Sequence, residues 1–132
     1  MEITDYVSYD LALKLKACGF DEPCDHYWSK AYKNSDRMAI RQASADDYNN
    51  DDWDVPHCSA PHIYHAQKWL REKGIAVSVQ ANEIQGELWY SADIITTKGI
   101  NELVDGGFDY MDYEAALSAG ITAALELIKK EE

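Results

Sequence analysis

The 132-residue chain predicts an α+β domain, with an antiparallel sheet built from two hairpins and helices packed mainly on one face. Three observations carry that prediction. The stretch from Pro61 to Asn82 reads as a helix, a glycine stop and a half-buried strand. Two pairs of strand-like runs are each joined by a short polar connection, as antiparallel neighbours require. Strands and helices alternate without regular βαβ spacing, which disfavours a parallel sheet. At this length the whole of 1–132 is expected to be a single domain, large enough to bury roughly two-thirds of its unfolded surface.

The first element is a helix over 8–18. Ser8 is suited to the N-cap, and Asp10 places negative charge in the first turn. Leu11, Leu15 and Cys18 fall on one face, flanked by Ala12, while Lys14 and Lys16 look solvated. Gly19 suits the left-handed position after the helix, with Phe20 folding back over its end. Asp21-Glu22-Pro23 is a turn, and 24–32 is an aromatic-rich strand in which Cys24, His26 and Trp28 share a face. Residues 33–36 form a turn, and 37–42 is the return strand, with Met38 and Ile40 on one side. Ala45 to Val55 is a polar, acidic loop with turn-forming chemistry throughout.

Pro61 suits the first turn of the second helix, where its missing N–H needs no partner. Ile63, Ala66, Leu70 and Lys73 share a helical face, with Trp69 beside it. Gly74 ends this helix, and Ile75, Val77, Val79 and Ala81 then alternate with polar or small residues over a strand at 75–82. Residues 83–86 make a turn into a second strand, 87–97. Residues 98–107 are a weakly patterned linker. The last helix spans 112–128, capped by Asp112, with Leu117, Ile121, Ala124 and Ile128 on one face. Gly120 within it costs about 1 kcal/mol relative to alanine and suggests close packing on a sheet.

The formal net charge is -12, spread over both halves. Phosphate-directed nucleic-acid binding needs clustered Lys and Arg, so it is not expected. The N-terminus lacks the basic region and apolar run of a signal peptide, and no stretch has the ~20 apolar residues of a membrane span. Three cysteines without framework spacing read as reduced thiols. A cytoplasmic protein with no membrane contact is therefore expected.

Three segments carry a resemblance. They are Val7-Ser8-Tyr9-Asp10-Leu11-Ala12 through Cys24, Ser59-Ala60-Pro61-His62 through Lys73, and Phe108 through Leu117. Together they resemble a family of small uncharacterised proteins from gut-bacterial phages, prophages and mobile elements. The resemblance implies that setting and supplies no catalytic or binding positions. Two strands, a loop and a helix opening Tyr113-Glu114-Ala115-Ala116-Leu117 also look like the partial double-stranded-RNA-binding fold of HicB-type antitoxins.

The chemical candidates are few. Cys24, His26, His57 and Cys58, near His62 and His65, have metal-binding side chains, but they lack the two-ligand knuckles of structural zinc sites. Cys58 lies near a helix start, where a thiol pKa is expected to fall somewhat. Asp47-x-Asn49-x-Asp51 begins like a calcium loop, then puts Asp52 where glycine belongs and Cys58 where a glutamate is required. No phosphate loop or serine motif appears, so no catalytic residue and no cofactor are expected. Trp28, Trp69 and Trp89 are expected in the core. Tyr48, Trp53, Tyr110 and Tyr113 lie in or beside loops, as contact-surface aromatics or as loop anchors. The leading expectation is a non-enzymatic, acidic protein-interaction domain whose partner is another protein. The alternatives are a HicB-like regulator and a zinc-binding or thiol enzyme.

Overall fold

The computed structural model describes residues 5–30, 37–42, 58–107 and 109–130. The class is α+β, as expected, with the hairpins divided between two antiparallel three-stranded sheets rather than joined in one. The chain clusters into two compact units, Met1–His62 and Ile63–Glu132, each with its own sheet.

In the first unit, α1 (Tyr9–Ala17) opens on Ser8, whose Oγ accepts from the Leu11 N–H at 3.2 Å. It ends as the glycine predicts. Gly19, at φ 90°, donates to the Lys16 carbonyl, and Phe20 donates to the Leu15 carbonyl. These two bonds form a Schellman closure that satisfies carbonyls left over at the helix end. Phe20 is buried beside this closure together with Leu11, Ala12 and Leu15. Cys18 is the half-buried C-cap rather than part of the buried face.

Strands β1 (His26–Lys30) and β2 (Met38–Gln42) pair antiparallel, with Trp28 opposite Ile40. The other edge of β1 is taken by β3 (Cys58–Ser59), which the sequence did not suggest. This strand is two residues long and gains its hydrogen bonds only from a partner, so it has no periodicity of its own. With both edges of β1 occupied, that strand has none left for the second hairpin. The Trp28 indole N–H reaches the Val7 carbonyl at 3.1 Å, and the Val7 N–H reaches the Pro61 carbonyl at 3.0 Å. The N-terminal segment is thereby tied across the unit.

In the second unit, α2 (Ile63–Glu72) begins two residues after Pro61, which sits buried in the lead-in and not in the first turn. Ile63, Ala66, Trp69 and Leu70 are its buried residues; Lys73 is exposed, its Nζ 4.7 Å from the Trp69 ring centroid. After Gly74 (φ 87°) come β4 (Ile75–Ile84) and β5 (Glu87–Thr96), two ten-residue strands forming a hairpin in register from Ile75↔Thr96 to Ile84↔Glu87. Its two turn residues, Gln85 and Gly86, both have positive φ, 52° and 82°. That is the requirement of the hairpin turn whose twist matches the strands. The stretch expected to be a linker contains β6 (Asn101–Leu103), paired to β5, and a tight turn at Val104–Gly107 in which Asp105, Gly106 and Gly107 have positive φ. A last bridge joins Tyr110 to Tyr90.

Helix α3 (Tyr113–Lys130) starts where Asp112 predicts, its Oδ1 accepting from the Ala115 N–H at 2.7 Å. It packs along β4 and β5, and α2 lies against both β4 and α3. Gly120 explains the close approach. A Cβ there would lie 2.4 Å from Val77 Cγ1 and 3.3 Å from Ala92 Cβ. The core of this unit is therefore one face of the sheet (Ile75, Val77, Ala92, Ile94) against Ala116, Leu117, Ile121, Ala124 and Leu125.

Candidate functional site

Side chains alternate across a strand, and cross-strand partners share a face. The pairs Val77↔Ile94 and Val79↔Ala92 therefore lie under the helix, and Ala76↔Ile95, Gln80↔Ser91, Asn82↔Trp89 and Ile84↔Glu87 lie on the opposite face. Strand β6 adds Leu103 opposite Asp93 and Asn101 opposite Ile95 on that same opposite face. This face is mixed, with three exposed apolar side chains among polar ones: Ile84 is 42% exposed, Ile95 44% and Leu103 64%. Its strand positions carry Glu87 and Asp93 and no Lys or Arg.

The hairpin end of the face holds a cavity of about 640 Å³, lined by Ile84, Gln85, Glu87, Trp89, Gly107 and Asp109. Trp89 is half-buried here, not in the core as its strand position suggested. The run Leu88-Trp89-Tyr90 is apolar on both faces, so alternation alone could not assign its side. Asn82 Nδ2 donates to Asp109 Oδ1 at 2.9 Å and to Ser91 Oγ at 3.1 Å. These bonds hold one carboxylate of the cavity in place. The Glu83 carboxylate accepts from the Gly86 N–H at 3.2 Å and steadies the turn beside it.

The aromatic candidates fall elsewhere. Tyr113 is the first residue of α3, half-buried, with ring contacts to Tyr90 at 5.9 Å and Tyr64 at 6.4 Å. The Tyr64 hydroxyl donates to Glu114 Oε1 at 3.2 Å. Tyr110 is half-buried; its hydroxyl donates to Asp105 Oδ2, and that bond, with burial, holds its pKa up at about 12. Tyr48 and Trp53 lie outside the described residues, as do the calcium-like loop and His57.

Of the metal candidates, Cys24 and Cys58 are buried and His26 is half-buried. Among the described residues no three His, Cys, Asp or Glu side chains gather as metal ligands would. His26 Nδ1 lies 2.9 Å from Asp25 Oδ1, and its ring lies tilted against Tyr6 with centroids 4.2 Å apart; Tyr6 also meets His62 edge-on at 5.7 Å. The expectation of a depressed Cys58 pKa is corrected. Burial pushes that thiol up to about 11, against a lowering influence from Lys16. Cys58 sits in β3, buried opposite Trp28, several residues ahead of the first turn of α2. Cys24 is pushed up to about 12, mainly by burial and then by Asp25 and Glu22. Both thiols are thereby held in the protonated, weakly nucleophilic form near neutral pH.

No described helix is long and apolar enough to cross a membrane. Comparison with family models, with curated proteins and with solved structures finds no match in any of the three.

Proposed function

We propose that this chain is a non-enzymatic interaction domain: an acidic accessory protein of a phage or mobile element that binds another protein in the cytoplasm. The observation that carries the reading is the open face of the second sheet. Exposed isoleucine and leucine side chains stand there among carboxylates, with no cation on the strands. Contiguous exposed apolar surface rimmed by polar groups marks contact sites. The net charge of -12 favours a basic partner and disfavours nucleic acid.

The test is retention of proteins from a lysate of the source cell on immobilised wild-type chain and on an Ile95→Asp/Leu103→Asp variant. Proteins held by the first and lost from the second, at an unchanged unfolding midpoint, support the reading. Identical retention by both chains overturns it.

A HicB-like regulator is a second reading, favoured by one observation. Strands β4, β5 and β6 follow each other as an antiparallel meander, and α3 then packs on the sheet. Co-expression with a HicA-type toxin tests it: rescued growth supports it, and undiminished toxicity counts against it. The thiol-enzyme reading is opposed by the raised pKa values. Below the unfolded thiol value of about 9, Cys24 and Cys58 are neutral in both states. Above it the unfolded chain ionises first, so stability drains as pH rises toward 11 to 12. Native protein at neutral pH is expected to leave both thiols unmodified by a thiol reagent, while Cys18, half-buried at a helix end, reacts first.

A further inference from the structure

Resting on the interaction reading, we propose that the cavity at the hairpin end of the open face receives an arginine side chain projected by the partner. Its lining combines one indole, two carboxylates and one amide, and no Lys or Arg among the described residues. A tryptophan face is the strongest aromatic site for a cation. A guanidinium is planar, so it lies flat on the indole while its N–H groups reach carboxylate oxygens at its edge. Here those oxygens belong to Glu87 and Asp109, and Asn82 fixes Asp109 in advance. The wall formed by Ile84 and Gln85 is set by a tight turn with two positive-φ residues, so that side of the cavity is in place before binding.

The chain holds an internal contrast. Trp69 has its own cation, Lys73, 4.7 Å from the ring centroid. Trp89 stands on a face whose strands supply only negative charge, and no Lys or Arg of the described residues lines its cavity. A second copy of the chain is disfavoured as the occupant, because two such acidic faces repel.

The experiment is a nitrogen-15 NMR titration of the full chain, with the Trp89 indole signal assigned from Trp89→Phe. The probe is a synthetic peptide alternating arginine and leucine; its control replaces each arginine by neutral, isosteric citrulline. The arginine peptide is expected to shift the Trp89 indole saturably. Affinity should fall about tenfold or more with citrulline, and similarly in Glu87→Gln/Asp109→Asn, whose thermal midpoint serves as the folding control. If the peptide moves the Ile95 and Leu103 amides while the Trp89 indole stays still, and the double variant binds as wild type does, the cavity assignment is overturned and the interaction reading stands. If neither peptide shifts any signal on this face, the assignment is also overturned, and the interaction reading then rests on the lysate comparison alone.

Discussion

Ile94 and Ile95 are neighbours in one strand, identical in chemistry, and 2% and 44% exposed. The first points into the layer beneath α3, and the second points out of the opposite face. The same contrast holds over the half of the hairpin that α3 covers: Val77 is buried and Ala76 is not; Ala92 is buried and Ser91 is not. One face of the sheet holds the unit together, and the other is spare. The exposed apolar residues of that face, Ile84, Ile95 and Leu103, add little to the buried layer beneath α3. That division separates what stabilises this protein from what it presents.

The sharpest way to break the comparison is to truncate each isoleucine in turn. Ile94→Ala removes buried methyl and methylene groups from under a packed helix, and is expected to cost about 3 kcal/mol. Urea denaturation followed by circular dichroism measures it. A cost close to zero would mean that α3 is loosely seated and that the covered face is not the core.

Gly120 tests how tightly that face is covered. Alanine is the better helix former by about 1 kcal/mol. Its Cβ, however, would lie 2.4 Å from Val77 Cγ1, a distance that forces the helix or the strand to shift. Overpacking of this kind costs about 1–3 kcal/mol, so a net loss of about 1 kcal/mol is expected for Gly120→Ala. The loss should vanish in a Val77→Ala background, where the obstructing methyl is gone. A thermodynamic cycle across the two sites measures the coupling directly. Equal effects in both backgrounds would place the helix farther from the sheet than described.

Much of this architecture was legible from residue patterns, and the exceptions share physical causes. Both hairpins, all three helices and the caps at Ser8, Gly19 and Asp112 follow from periodicity and local chemistry, because each element's signal lies within its own residues. Strands β3 and β6 were missed. At two and three residues they are too short to show alternation, and they exist because β1 and β5 offer them an edge. The cavity was missed for a different reason. Asp109 meets Asn82 across the sheet, 27 positions apart, and Trp89 reads as core until the helix-covered face is known. Cys58 misled because nearness to a helix in sequence says nothing of whether the thiol faces it.

The cap that starts α3 offers a smaller probe of the covered face. Asp112→Ala removes the acceptor for the Ala115 N–H, at an expected cost of about 1 kcal/mol. The exposed face should not change. Peptide binding at Trp89 ought to survive this substitution at temperatures well below the new midpoint, which thermal denaturation and the same indole signal check together. Loss of binding in step with loss of helix would show that the two faces are not independent.

The smallest stability effect belongs to the residue that motivates the functional reading. Ile95 is 44% exposed and Ile94 2%, so truncating Ile95 loses far less burial than truncating its neighbour. Ile95→Ala is expected to change stability by no more than about 0.5 kcal/mol. A sheet position that tolerates alanine so cheaply gains nothing for folding from a large β-branched side chain beyond strand propensity. If the open face is a contact surface, the same substitution should weaken retention of the partner several-fold while the unfolding curve stays superimposable on wild type. A change of 2 kcal/mol or more would instead mark Ile95 as core, covered in solution by another part of the chain, and the spare face would then be a face already in use.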